Sequence, residues 1–545
     1  MNRIVLIVVG IMLASNCKAF ELSLPSIFAD QMILQRNQNV PVWGITETDA
    51  IIEVSFAGQS KTVKADANGN WRIDLEPMTA SSESRIMTIS SKLNGVGTEF
   101  KILDVLVGEV WLAGGQSNMY RPFRMLTYEA REPVYEPIAE YLRNEENIAN
   151  DTLLRQFRVG KEINVLEEKN EGRGTWSKAV KGPVHEFGAT GYFFGRELRR
   201  ELDVPVAIIA CNLGGTKIEP WIPMQAYQSN TILKNFYKKE LDSYKEELGA
   251  WDQEKVDSTY QKQLTEWEIK AKKAKEKGES EPPKPRKQEH PDRNKQTAST
   301  LYNAMIHPLI PYAIKGAIWY QGESNGQNLP EQYAMRLTAM VKAWRETWNQ
   351  KDFHFDFCQL ANYKDPIEQP MEEVDGWVIV QNQMRRALDL IPNSGMVVLN
   401  DIGEAKDVHP KNKIDVGKRL SLWALSQAYG KNLVYSGPLY KHSKVKGNRL
   451  IITFDHVGSG LMTGKKHLLE PAIEVNEPLK CFQICGADKL WKWAKAEITN
   501  KNKVEVWHEE ISKPVEVRYA WSSNPEGANL YNKEGLPTSV FTTKD

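Results

Sequence analysis

Val105-Leu106-Val107-Gly108-Glu109-Val110-Trp111-Leu112-Ala113 runs into Gly114-Gly115-Gln116-Ser117-Asn118-Met119. An apolar run of this length, closed by a double glycine, reads as a strand buried on both faces that ends in a tight turn. Four further runs have the same texture: Pro205 to Ala210, Ala317 to Tyr320, Phe353 to Leu360 and Met396 to Leu399. Helical spacing lies between several of them. Leu337, Val341, Trp344 and Trp348 share one helix face, and so do Ile414, Leu420, Trp423 and Ala424. Strands alternating with helices predict an α/β fold, a parallel sheet covered on both sides. Ligands of such sheets bind beyond the carboxyl ends of the strands, so the loops that follow the five runs are where chemistry is expected.

The flanks differ. From residue 20 to residue 103, period-two stretches such as Ile51-Ile52-Glu53-Val54-Ser55-Phe56 and Trp71-Arg72-Ile73-Asp74-Leu75 alternate with turns such as Asn68-Gly69-Asn70. They predict an N-terminal β-sandwich. The pattern returns over 433–545, in Arg449 to Phe454 and Val515 to Tyr519, and predicts a second one. The core is then 104–432. It is interrupted at about 224–298 by a stretch rich in Lys, Glu and Gln that ends near Pro282-Pro283-Lys284-Pro285. This insertion reads as solvated helix followed by a linker, with a lid or a dimer contact as the functional alternative.

Lys plus Arg and Asp plus Glu both number 70 in 545 residues, so no global field favours nucleic acid or an anionic membrane. Asn2-Arg3 followed by the short apolar run Ile4 to Ala14 reads as an export leader, cleaved after Ala19. A lipid anchor at Cys17 is the alternative, although Asn16 fits that processing poorly. The expected location is periplasmic or secreted. No later segment has the eighteen apolar residues a membrane span needs. Of the remaining cysteines, Cys211, Cys358, Cys481 and Cys485, the last two form the single local disulfide candidate, and buried free thiols fit equally well. No metal spacing, dinucleotide fingerprint or phosphate loop is present, so neither metal nor cofactor is expected.

Four of the run ends carry polar groups. A Ser after Gly114-Gly115 sits where a strand turns into a helix, with its own N–H facing the cleft; most such serines merely cap helices. Asn212-Leu213-Gly214-Gly215-Thr216 is either a plain turn or a source of ligand-binding N–H groups. Trp319-Tyr320-Gln321-Gly322-Glu323-Ser324-Asn325 sets aromatic surface beside hydrogen-bonding groups, a mixture suited to a sugar. Glu323 alone lacks the partner a glycosidase acid requires. Asp401-Ile402-Gly403-Glu404-Ala405-Lys406-Asp407-Val408-His409-Pro410 places one His among three carboxylates, the arrangement that activates a Ser hydroxyl.

With these blocks in view the chain resembles the sialate O-acetylesterases, a branch of the SGNH hydrolases. Gly108 to Met119 is similar to that family's nucleophile block. Phe28 to Arg36 and Val40 to Gly44 resemble its opening strands, and Arg518 to Trp521 with Asn529 to Pro537 resemble its closing motif. The resemblance covers nearly the whole mature chain and implies a flavodoxin-like hydrolase core. It implies Ser117 as nucleophile, His409 as base, and an oxyanion hole from Ser117, Gly214 or Gly215, and Gln321. Gln116, Asn118, Glu323 and Asn325 are implied as substrate-binding residues. The family's acid normally stands three residues before the His; here that position is Lys406. Asp407, two before, is the expected acid, with Asp401 as the alternative and a Ser–His dyad if neither serves.

The implied reaction is two-step acyl transfer from an O-acetylated sialic acid. The same chemistry on another acetylated glycan, such as xylan, is one rival. A non-catalytic carbohydrate-binding protein is the other, and it gives Ser117 and His409 nothing to do.

Overall fold

The computed structural model describes residues 22–350, 353–370 and 375–544. The expected leader, 1–19, lies outside the described residues. Strand β1 (Val96–Gly115) carries the opening stretch and is twenty residues long. Its first half pairs antiparallel with Ser81–Leu93, and its second half enters a parallel sheet. That sheet is completed by β2 (Asn150–Val159), β3 (Gly174–Val180), β4 (Val206–Asn212), β5 (Gly316–Tyr320), β6 (His354–Cys358) and β7 (Ser394–Val397), in the order β3-β2-β4-β1-β5-β6-β7. β3 runs antiparallel at one edge. The result is a mixed α/β fold in which one large mixed sheet is accompanied by smaller antiparallel sheets.

All five apolar runs lie on core strands, and every residue of β4, β5 and β6 is buried. Two strands, β2 and β3, escaped the sequence reading. Their polar residues interrupt the apolar run: β3 lies at the sheet edge, where one side meets water, and β2 beside it is partly exposed over its first residues. The strand order places β1 centrally, with β4 on one side and β5 on the other. The chain therefore changes direction at β1, and the crevice beyond β4, β1 and β5 is the switch point at which such sheets bind ligands.

The residues around 103 and 104 lie inside β1, so the N-terminal strands and the core share a strand. A three-stranded sheet (Leu22–Ser23, Val40–Thr46, Asn70–Leu75) covers that end, and one apolar core extends from Leu22 to Leu439. A second apolar core, Leu450 to Phe541, is made by the C-terminal antiparallel strands.

Helix α1 (Ser117–Tyr120) follows β1, and α2 (Ala189–Leu202) precedes β4. The charged insertion forms two helices, α3 (Thr231–Gly249) and α4 (Gln253–Glu276), largely exposed. α5 (Tyr333–Trp348) buries Leu337, Val341, Trp344 and Trp348 as its spacing predicts. α6 (Gly376–Leu390) and α7 (Lys413–Trp423) complete the core; Ile414, Leu420 and Trp423 of α7 are buried, and Ala424 opens a π-helical turn that follows it. Cys211, Cys358, Cys481 and Cys485 are all free thiols.

Candidate active site

The turn after β1 is shaped by how closely β5 approaches. A Cβ on Gly115, at φ +131°, would lie 2.2 Å from the Tyr320 carbonyl oxygen, and one on Gly114 would lie 2.9 Å from the Trp319 ring. Only glycine fits there. Gln116 N–H donates to Tyr320 O at 3.0 Å, and Leu213 N–H donates to Gly115 O at 3.0 Å, so the ends of β4, β1 and β5 are tied together. Ser117 is thereby delivered as the first residue of α1.

His409 arrives from the loop after β7. Its Nε2 stands 2.9 Å from Ser117 Oγ. Asp407 Oδ1 accepts the His409 backbone N–H at 2.9 Å and lies 3.1 Å from His409 Nδ1. The other oxygen of Asp407 accepts from Lys411 Nζ at 2.6 Å, and Lys411 also pairs with Glu404 at 2.8 Å. Burial opposes ionisation of Asp407, but Lys411 and the His409 N–H outweigh it and hold the carboxyl below its usual range.

Asp401, the alternative acid, is engaged elsewhere. It forms a two-pronged pair with Arg419, at 2.7 and 2.8 Å, and both side chains are buried. That corrects the alternative: the Arg419 guanidinium of α7 consumes the carboxylate at the start of the loop. Segments connecting the C-terminal strands brace this loop, through Asn400 Nδ2 to Thr538 O at 3.0 Å and Asn412 Nδ2 to Leu468 O at 3.1 Å.

Gly214 lies against Ser117. A Cβ on it would meet Ser117 Cβ at 3.5 Å. Among the described residues, neither the Ser117 N–H nor the Gly214 N–H has an acceptor. Gly215, at φ +68°, faces Lys295 instead. Lys295 Nζ donates to Gly214 O at 2.7 Å. Gln296 Nε2 donates to Gly215 O at 2.6 Å, and its Oε1 accepts from Lys217 N–H at 3.0 Å. The chain leaving the insertion thus clamps the glycine turn from outside.

Gln321 does not meet its expectation. Its side chain is fully buried, and its NH2 donates to Thr216 O at 3.0 Å and Asn325 Oδ1 at 2.8 Å, while its oxygen accepts from Tyr333. Both N–H bonds are spent inside the protein, so none remains for an oxyanion.

The four residues expected to touch substrate form an internal hydrogen-bond network next to Ser117. Asn118 donates to Glu323 and to Val408 O at 3.0 Å, and accepts from Lys413 Nζ at 2.6 Å. Gln116, with its NH2 turned to the available acceptors, donates to Glu323 Oε2 and Thr216 O at 3.0 Å each. Asn325 Nδ2 reaches Glu219 at 3.1 Å, and its oxygen also accepts from Ile218 N–H at 3.0 Å. Gln116, Asn118 and Asn325 are buried. This network joins the loops after β1, β4, β5 and β7.

Burial pushes the Glu323 carboxyl up and lowers Lys413 to about 7, with Glu323 partly opposing the latter. Three cations at the site had no signal in the sequence reading: Lys413, Lys295 and Arg121. Lys413 stands four residues after His409 and opens α7, a spacing that can be searched for. Lys295 and Arg121 offer no such local cue. Burial, Arg121 and Lys413 together lower His409 to about 4 against the pull of Asp407.

A hydroxyl, an imidazole and a carboxylate in line, beside two unengaged N–H groups, are equipped to cleave an ester by acyl transfer. Among the described residues, no group of three or more His, Cys, Asp or Glu side chains is disposed to hold a metal ion, and no helix is long and apolar enough to cross a membrane.

Comparison with known proteins agrees with that chemistry. Residues 291–425 match the family model described as carbohydrate esterase, sialic acid-specific acetylesterase. The sialate O-acetylesterase of Rattus norvegicus is 26% identical over 95% of this chain and 94% of its own. That of Homo sapiens is 25% identical over 95% and 91%. The crystal structure of a carbohydrate acetylesterase from Xanthomonas citri superposes with a TM-score of 0.74, at 33% identity, covering 96% of this chain and 99% of that one.

Proposed function

This chain belongs to the sialate O-acetylesterase family and is a carboxylic ester hydrolase; from that premise we propose that it removes O-acetyl groups from sialic acid, with Ser117 as nucleophile. The observation that carries the reading is the 2.9 Å contact of Ser117 Oγ with His409 Nε2, beside Asp407.

His409 takes the Ser117 proton as Oγ attacks the acetyl carbonyl carbon. The Ser117 and Gly214 N–H groups hold the oxyanion, each contributing about 3–4 kcal/mol to the barrier reduction. The sugar oxygen leaves with the proton that His409 acquired. Water, deprotonated by His409, then attacks the acetyl-Ser117 ester, and acetate leaves as the proton returns to Ser117. Asp407 orients the imidazole and stabilises its charged form. The Gln116–Asn118–Glu323–Lys413 network holds the nucleophile turn and the His loop in register. Export after loss of residues 1–19 belongs to the same proposal and rests on the sequence.

A second reading, the same reaction on another acetylated glycan, is favoured by the Xanthomonas citri relative, a carbohydrate acetylesterase. The deciding measurement is acetate release from 9-O-acetylated sialic acid, with Ser117→Ala as control. Release that vanishes in the variant supports the first reading. Release from a generic acetyl ester alone moves the substrate to another glycan. Undiminished release by Ser117→Ala sinks the nucleophile.

A further inference from the structure

His409 Nδ1 has two neighbours that make opposite demands on it. Asp407 Oδ1, at 3.1 Å, is a carboxylate and only accepts, so this contact requires a proton on Nδ1. Arg121 Nη2, at 2.8 Å, belongs to a guanidinium, which only donates, so that contact requires a bare lone pair on Nδ1. One ring nitrogen satisfies one of them at a time. With Arg121 engaged, the neutral ring carries its proton on Nε2 and points it at Ser117 Oγ. In that tautomer the imidazole cannot take the serine proton. With Asp407 engaged, Nε2 presents its lone pair and the site is competent.

Arg121 follows α1 directly. Its guanidinium also pairs with Glu129, it is little exposed, and its Nε is buried without a partner among the described residues. Beside it, Lys161 lies over the Tyr120 ring at 4.1 Å. Tyr120, Lys161, Arg158 and Asn212 line a cavity of about 270 Å³ that reaches the end of β4 and the helix of the nucleophile. Glu186 is the one carboxylate among its lining residues, and it is paired with Arg124 and Arg158. This cavity, which adjoins the segment carrying Ser117 and Arg121, therefore has more cationic than anionic side chains along its lining.

We propose that Arg121 is a specificity-determining residue that holds the resting triad in the unproductive tautomer until a carboxylate on the acetylated sugar draws its guanidinium off His409. The proposal rests on the acyl-transfer reading of Ser117, His409 and Asp407. The switch moves no net proton: Nε2 gives one to water, and Nδ1 takes one from water. An acidic substrate triggers its own turnover, whereas a neutral ester meets a mostly idle base.

The test pairs imidazole 15N NMR with kinetics. In the free wild-type protein, the His409 Nδ1 signal is expected in the unprotonated range. Saturation with free sialic acid is expected to move it to the protonated range, and N-acetylglucosamine to leave it in place. Arg121→Met is expected to show a protonated Nδ1 without ligand. It should turn over 4-nitrophenyl acetate several-fold faster, and lose at least tenfold in its preference for an acetylated acidic sugar over that neutral ester. Arg121→Lys should recover part of the preference. A protonated Nδ1 in the free wild type overturns the proposal, as does an equal fall on both esters in a variant that melts like the wild type. The NMR reading of the wild type needs no turnover, so it stands apart from any failure of the esterase assignment.

Discussion

Ser117 Oγ and His409 Nε2 are 2.9 Å apart, although 292 positions separate them along the chain. Two frameworks bring them together. The parallel sheet aligns the ends of β1 and β7 at one edge. Asn118, next to the serine, then donates to the carbonyl of Val408, next to the histidine. Ser117 and His409 are thus joined twice, through their own side chains and through their neighbours. The geometry leads to four predictions.

Asp407 and Asp401 should separate function from stability. Asp407→Asn is expected to lower kcat by about 10²–10⁴-fold while the protein melts normally, because the imidazole loses the acceptor that sets its tautomer. Asp401→Asn leaves the buried Arg419 guanidinium without its charge partner, which costs about 3–5 kcal/mol. Its Tm should fall, with kcat of the folded enzyme largely retained. Thermal melts and kcat on both variants check this. The opposite pattern would make Asp401 the catalytic acid.

The acid limb of the pH–rate profile should lie low. The neutral imidazole is the form that accepts the serine proton, and burial with Arg121 and Lys413 lowers His409 to about 4, only partly opposed by Asp407. kcat/KM, which reports the free enzyme, should therefore hold at pH 5.5 and fall only nearer pH 4, below the ordinary imidazole range of about 6.5. Removing the Arg121 charge favours the imidazolium, so Arg121→Met should move that limb to higher pH. A wild-type limb at or above 6.5 would contradict the charge arrangement.

Lys295 tests whether the charged insertion serves the site. Its Nζ grips the Gly214 carbonyl at 2.7 Å, and a hydrogen bond from a charged donor is worth about 1.5–3 kcal/mol. Lys295→Met is expected to lower kcat roughly tenfold with little change in KM, since the turn loosens where the oxyanion forms. Lys262→Ala, on the exposed face of α4, should change neither. Equal effects from the two substitutions would deny the clamp.

Asn118→Ala removes the amide shared by Glu323, Val408 and Lys413. Leaving these buried groups short of partners costs about 1–3 kcal/mol, so Tm should drop. Because the amide also couples the serine turn to the histidine loop, kcat should fall by about tenfold or more at a temperature where the variant is folded. Circular dichroism melts and acetate release check both halves. A lower Tm with unchanged kcat would limit Asn118 to a structural role.

The five apolar runs were legible because a doubly covered sheet demands continuous burial, and burial writes itself into residue type. β2 and β3 were not: β3 lies at the sheet edge, and β2 beside it opens on Asn150, Asp151 and Thr152 and carries Arg155, Gln156 and Arg158, which break its run. The candidates were legible in kind: Ser117, Gly214, Asp407 and His409 stand in short local motifs at strand ends. Gln321 departs from the donor role that the resemblance implies: Thr216, from a loop it meets only in the fold, and Asn325, four residues on, consume its N–H bonds. Arg121 escaped notice because nothing in Met119-Tyr120-Arg121-Pro122 signals that its guanidinium ends on a ring 288 positions away.

By itself, the sequence determined which residues are buried, where the strands end, and which side chains with the chemistry of an esterase stand at those ends. These follow from local composition and from covalent constraint, such as glycine where β5 presses on the turn. Only the tertiary structure decided which carboxylate stands beside His409, which amide is spent, and which cation rests on Nδ1. Those outcomes are competitions among groups distant in the chain for a few hydrogen-bonding atoms, and distance in space, set by the sheet and the packing upon it, is what decides them.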